Sequence, residues 1–253
     1  ATDQNNYKTS NIYITKRCGR MANRLVIFAN IIAYAEEYKI RLRNYTFHSY
    51  CKEFESTRHD FHCQYPPPPT KPWLSRLPLF GNALIGLRLY YRVLRMMSRH
   101  PDSFHAITLS EPHAECFMDK PDMVKQLSAY QTVFVDGWGY RCPDLVAKHQ
   151  DLIRDYFRPI TPHLKAIEKV VNPLRKNSDF LIGVHIRHGD YKEWHNGKHY
   201  FTSQEYAEIM KKIARNFPEK KVAFLICSNE NQDKNLFSGL TFAEGPGHPV
   251  SDL

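Results

Sequence analysis

Apolar, β-rich runs separated by segments of helical periodicity constrain the fold of this chain more than any other feature. Asn11 to Thr15 (Asn-Ile-Tyr-Ile-Thr), Thr132 to Asp136 (Thr-Val-Phe-Val-Asp), Phe180 to Val184 and Val222 to Cys227 have the length and residue types of strands. The run Phe180-Leu181-Ile182-Gly183-Val184 is continuously apolar, the pattern of a parallel strand buried on both faces. Lys39 to Phe47 and Ala106 to Leu109 are further strand candidates. Arg24 to Tyr38, with Leu25, Ile27, Phe28, Ile31, Ile32 and Ala35, reads as a helix with a wide buried face. Other helices are expected over Asp119 to Ala129, Leu145 to Phe157, Thr161 to Arg175, and Ser203 to Asn216 with Ser203 as its N-cap.

Strands alternating with helices imply an α/β fold with parallel sheets. The 253 residues fit one large domain or two small ones. A break near residue 178 divides them into an N-terminal α/β domain, 1–178, and a second unit, 179–253. The second is short for the about five or six strands of a doubly wound domain. The expectation is therefore that its C-terminal part is missing from this chain.

The net charge of +9 favours acidic partners such as nucleotide phosphates, nucleic acid or an anionic membrane, or reflects a generally basic surface. The Lys and Arg residues are dispersed, which argues against nucleic acid. Asn82 to Arg99 interleaves Leu84, Leu87, Leu89, Tyr91, Leu94 and Met97 with Arg88, Arg92, Arg95 and Arg99. This reads as a basic amphipathic helix packed on its own domain with arginines in water; peripheral membrane contact or acceptor binding is the alternative. No stretch of about 18 apolar residues occurs, so no transmembrane helix is expected. The six cysteines form no C-x-x-C pair and are expected as reduced thiols. A cytoplasmic, bacterial-type setting is favoured, with the Golgi lumen the setting for a eukaryotic chain. Asn44-Tyr45-Thr46 is a glycosylation sequon.

The densest chemistry lies in Gly183-Val184-His185-Ile186-Arg187-His188-Gly189-Asp190-Tyr191, where a buried strand ends in a polar loop. Ligands of open α/β sheets sit outside the carboxyl ends of the strands. Gly183 would let a partner approach the strand, and Gly189 would permit a tight turn. The Arg187 fork suits a diphosphate and stays charged at any working pH. Fixed there, it would stabilise charge developing on a phosphate leaving group. Asp190 would orient Arg187 or accept from a ribose or guanine, and a protonated His188 would donate to phosphate.

His185-Ile186-Arg187-His188-Gly189-Asp190 resembles the His-x-Arg-Arg-x-Asp motif of the fucosyltransferase superfamily, with His188 in place of the second arginine. Gly19-Arg20-Met21-Ala22-Asn23-Arg24 is similar to that superfamily's Gly-Arg-x-Gly-Asn-Gln segment. Ile226-Cys227-Ser228-Asn229-Glu230 is similar to its strand-end Ser-Asp-Asp/Glu segment. Order and spacing match best in the alpha-1,2 branch. The resemblance implies a GT-B-like pair of Rossmann-like domains, GDP-fucose as donor, a glycan acceptor, and inversion with neither a metal nor a further cofactor. By position it assigns Gly183, His185, Arg187, Ser228 and Asn229 to the donor, and Arg187, His188 and Asp190 to catalysis. On the acceptor side it places Gly19, Arg20 and Asn23.

An inverting transfer needs a base for the acceptor hydroxyl. Asp136 is a candidate, with Trp138 and Tyr140 as sugar platforms; the plainer reading is that Asp136 caps a loop and Trp138 is core. Two rivals stand beside the transferase. One is a sugar-nucleotide or carbohydrate-binding protein without turnover. The other is a metal-dependent hydrolase using His185, His188, Asp190, His195 and His199, where the four-residue step from His195 to His199 suits zinc if the segment is helical.

Overall fold

The computed structural model describes residues 9–69, 81–110 and 115–252, and within these the side chains of 81–85, 87 and 103 are left aside, Leu84 and Leu87 among them. The described chain forms two compact α/β units, Ala1–Arg158 and Pro159–Leu253.

In the first unit the chain runs β1 (Asn11–Ile14), α1 (Met21–Glu37), β2 (Arg41–Arg43), β3 (Gln64–Tyr65), α2 (Gly81–Met97), β4 (Ala106–Ser110), β5 (Cys116–Phe117), α3 (Pro121–Ser128), β6 (Thr132–Asp136), β7 (Tyr140–Arg141), α4 (Pro143–Lys148) and α5 (Gln150–Tyr156). The main sheet has the order β3-β2-β1-β6-β4. All its pairs are parallel except the antiparallel β2–β3 edge. Parallel neighbours need crossover connections. Here β1 feeds α1 and then β2 on one side, while β6 returns on the other. The gap between the ends of β1 and β6 is therefore where the strand order reverses, the place that collects ligands in open α/β sheets.

Ile12, Ile14, Phe28, Ile31, Val133 and Phe134 are buried in the core. Phe28 also meets Phe47, Tyr156 and Phe157 at ring-centroid distances of 5.4 Å. Buried Asn30 ties α1 to α4: its Nδ2 donates to the Val26 carbonyl (2.8 Å) and its Oδ1 accepts from the Cys142 amide (2.6 Å).

The second unit holds α6 (Thr161–Asn177), β8 (Phe180–Ile186), α7 (Ser203–Arg215), β9 (Val222–Ser228) and β10 (Thr241–Glu244), with a parallel sheet in the order β10-β9-β8. Its core is Ile186, Ala207, Met210, Phe224, Ile226 and Phe237. The division falls ahead of α6 and not near residue 178, because α6 packs against β8, β9 and β10.

Several expectations need correction. β8 is not buried on both faces: it is an edge strand whose only buried residue is Ile186. The helix expected from Leu145 to Phe157 is two short helices. They break at His149, whose Nε2 lies 2.8 Å from Glu37 Oε2. The strand expected over Lys39 to Phe47 covers Arg41–Arg43 only, after which Tyr45–Glu53 coils into 3-10 turns. The cap of α7 is Thr202, not Ser203. Its side chain accepts from the Glu205 amide while the Glu205 carboxylate accepts from the Thr202 amide, a complete capping box.

Trp138 is exposed, not core, and carries the Arg141 guanidinium 4.8 Å from its ring centroid. All six cysteines are free thiols. The sequon asparagine is buried, and its Oδ1 accepts from Thr46 Oγ1 at 2.6 Å. No helix among the described residues is long and apolar enough to cross a membrane.

Asn30→Ala leaves the Cys142 amide buried without its acceptor. We expect urea unfolding of the chain to report a loss of about 1–3 kcal/mol. An unchanged midpoint would remove Asn30 as the tie between α1 and α4.

Candidate strand-end ligand site

The carboxyl ends of β8, β9 and β10 lie side by side, as parallel pairing requires, and each delivers a polar loop. At the end of β8, Arg187 Nη2 donates to Asp190 Oδ1 at 2.6 Å. The guanidinium also sits 5.1 Å from the Tyr191 ring centroid, and the Arg187 side chain is only 19% exposed. Carboxylate and ring together hold the fork against the strand end, so little side-chain entropy remains to be lost when it meets a ligand.

His188 is buried. Its Nε2 lies 3.0 Å from the Phe201 carbonyl, which can only accept, so Nε2 carries the proton. Its Nδ1 lies 3.7 Å from Glu230 Oε2, and its backbone N–H donates to Asn229 Oδ1 at 2.8 Å. In this arrangement the ring proton serves Phe201 and not a phosphate. The residue fastens the β8 loop to the β9 loop and to the segment entering α7. Gly189 then turns at φ +65°, where a Cβ would lie 3.2 Å from Asn229 Nδ2 and 3.3 Å from Glu230 Oε1.

At the end of β9, Ser228 Oγ accepts from the Glu230 amide (3.2 Å) and from Gln232 Nε2 (3.0 Å), and Gln232 Oε1 accepts from Ser203 Oγ (2.7 Å). Beside these groups is an open cavity of about 130 Å³, lined among others by Ser228, Glu230, Gln232, Glu244, Gly245 and Asp252. Gly245 is part of its lining, and a Cβ there would collide with Asp252 and Cys227. Asp252 Oδ1 accepts from the Gly247 amide at 3.1 Å. Burial pushes the Asp252 carboxyl above its ordinary value of 3.8, against the opposing pull of that amide, His248 and His185.

Glu230 lay within the strand-end segment singled out from sequence, but the acids Glu244 and Asp252 were missed. β10 is a strand that pattern alone did not reveal, and its end, Glu244, would otherwise have qualified by the strand-end rule. The expected donor residues are thus partly gathered. Arg187, His188, Asp190, Ser228 and Asn229 share one edge of the sheet. Gly183 and His185 lie further back on β8 and are exposed; His185 pairs in register with Cys227, which lines the cavity, and a Cβ on Gly183 would meet nothing within 4 Å.

His195 and His199 do not lie on a helix. Trp194–Gly197 is a 3-10 turn with His195 and Asn196 at positive φ, and the two imidazoles are 6.2 Å apart, edge to face. The spacing argument for zinc therefore loses its premise.

In the first unit, Gly19, Arg20 and Asn23 follow β1 and Asp136 ends β6, on either side of the reversal point. Gly19 turns at φ +59°, where a Cβ would collide with Asn23. Arg24, read from sequence as the start of a helix, is the pin of this loop. Its Nε and Nη2 both donate to the Gly19 carbonyl (3.1 Å each), and its Nη1 donates to the Thr46 carbonyl (3.1 Å) and Ser49 Oγ (3.2 Å).

No family model matches the chain, and no curated protein matches it. Among solved structures it is similar to POFUT1 in complex with GDP, with 11% identity and a TM-score of 0.44 over 100% of this chain and 88% of that one. It is similar to the apo form of POFUT1 at 11% identity and a TM-score of 0.45, over the same shares. It is also similar to a mutant of Arabidopsis thaliana FUT1 in complex with GDP, at 12% identity and a TM-score of 0.45, where it covers 99% of this chain and 64% of that one. At these values the likenesses stand as similarities only.

Two outcomes follow from the geometry. Gly189→Ala should cost about 1–2 kcal/mol in thermal unfolding, through the left-handed backbone and the contact with Asn229. Wild-type stability would refute that strain. For Asp252 the folded pKa lies above the unfolded one, so its ionisation opposes folding. That penalty is absent below 3.8 and grows as pH rises through the raised value. Asp252→Asn keeps an amide oxygen for Gly247 and should therefore match wild type in acid and exceed it at neutral pH. A gap that closes on approaching neutrality would contradict this sign.

Proposed function

We propose that the chain binds a nucleoside-diphosphate sugar at the carboxyl edge of the β8–β10 sheet and serves in glycosyl transfer, with GDP-fucose as the donor its motifs suggest. One observation carries the reading: a guanidinium fixed at the end of β8 by Asp190 and Tyr191, one strand away from an acid-lined cavity beside β9 and β10. Neighbouring strands are about 4.8 Å apart, so the span from β8 to β10 is about 10 Å, within reach of a nucleoside diphosphate. Arg187 suits the phosphate end. The carboxylates Glu230, Glu244 and Asp252 suit the N–H and O–H donors of a base and ribose.

In such a transfer the bond between the anomeric carbon and the diphosphate breaks, and the electron pair stays on the phosphate oxygen. Arg187 would stabilise that charge without a change of protonation, while Asp190 keeps the fork in place. The acceptor hydroxyl attacks from the opposite face and gives up its proton to a base. Asp136, at the end of β6, is a candidate for that base from its place in the sequence. Asp136→Asn with undiminished turnover would retire the candidate. The charge on the leaving group needs no metal in this scheme.

A second reading, binding without turnover, is favoured by His188. The family motif resembled here has an arginine at that position, and this chain has a buried imidazole that donates to Phe201. Arg187 is then the motif's one permanent cation.

Calorimetric titration with GDP and GDP-fucose, with and without EDTA, tests both readings. Binding should survive EDTA and should drop at least a hundredfold in Arg187→Ala, while Asp190→Asn should weaken it less. Binding without consumption of GDP-fucose across an acceptor screen would select the second reading. Wild-type affinity in Arg187→Ala would show the site to be misassigned.

A further inference from the structure

We propose that the outer ridge of α2 is a docking surface for an anionic membrane. The helix is anchored to its own unit by one face. Tyr91 and Leu94 are buried with Ala106 and Phe134, the Tyr91 ring stacks on Tyr45 at 4.0 Å, and His62 Nδ1 lies 2.8 Å from the Tyr91 hydroxyl. At roughly 3.6 residues per turn, Leu89, Val93 and Met96 fall on the side opposite Tyr91, Leu94 and Ser98. They are 60%, 41% and 57% exposed. Arg88, Arg92, Arg95 and Arg99 recur at the same helical spacing and form a second exposed row along one flank of this ridge.

A helix that only covered its own core would be expected to turn polar residues outward. Here the outward stripe is aliphatic and its polar flank is wholly cationic. The surrounding sequence has the same bias, since no Asp or Glu occurs between Asp60 and Asp102. An aliphatic ridge beside a guanidinium row matches a helix lying in the headgroup layer, with apolar side chains dipped into the acyl boundary and arginines on lipid phosphates and carboxylates. The ridge is convex and narrow, which suits a soft planar surface. The proposed contact is with the headgroup layer; no helix among the described residues is long and apolar enough to cross a membrane. This inference is independent of the nucleotide site.

The test is co-sedimentation of the full chain with vesicles of phosphatidylcholine alone, and with vesicles containing roughly a quarter phosphatidylserine. The chain should pellet with the anionic vesicles only, and added salt should release it. Arg92→Gln combined with Arg95→Gln should lower the partition coefficient on the order of 30-fold. Leu89→Ser combined with Met96→Ser should also release the chain, with its circular dichroism unchanged because both side chains are exposed. A chain that stays in the supernatant with anionic vesicles overturns the proposal. So does binding that ignores the Leu89 and Met96 changes, or a lipid-free self-association that those changes abolish, which would give the ridge to a protein partner.

Discussion

Two parallel strands cannot be joined by a hairpin. The chain must cross over and return, so every parallel strand sends its outgoing loop to the same edge of the sheet. This constraint organises both units. In the second it brings the loops after β8, β9 and β10 together, although Arg187, Glu230 and Asp252 are widely separated in sequence. In the first it sets the loop after β1 next to the end of β6, at the point of strand reversal.

Loops brought together by topology still have to be fixed, and here side chains bonded to backbone do much of that. Asn229 takes the His188 amide, Ser228 takes the Glu230 amide and Asp252 takes the Gly247 amide. Arg24 does the same for the β1 loop by clamping the Gly19 carbonyl. Two glycines at positive φ, Gly19 and Gly189, set the turns that these bonds hold. Such ties let the arginine that the proposed chemistry needs stand in one place before any ligand arrives. This is where electrostatic stabilisation gains over a flexible surface cation.

The α/β class and most of the long helices were legible in the sequence, because strand-length apolar runs and 3.6-residue periodicity are local signals. The site was legible only in part. Arg187 and Asp190 could be paired from their spacing. The burial of His188 could not be read, since it depends on Phe201, Tyr200 and Glu230, which arrive from other elements. Glu244 and Asp252 were missed because β10 is a short edge strand with weak pattern and Asp252 lies beyond any regular element. The unit boundary was misplaced because α6 is amphipathic wherever it packs; only its packing on β8, β9 and β10 says which sheet it serves. The break at His149 was likewise invisible, being set by Glu37 more than a hundred residues earlier.

The central claim is that the carboxyl edge of the β8–β10 sheet receives the diphosphate. Hydrogen exchange followed by mass spectrometry, with and without GDP, tests it most directly because it reports position as well as binding. The account predicts slowed exchange in the peptides covering 187–192, 228–232 and 244–252, and loss of that protection in Arg187→Ala. GDP-dependent protection confined to other segments, or none at saturating GDP, would contradict it.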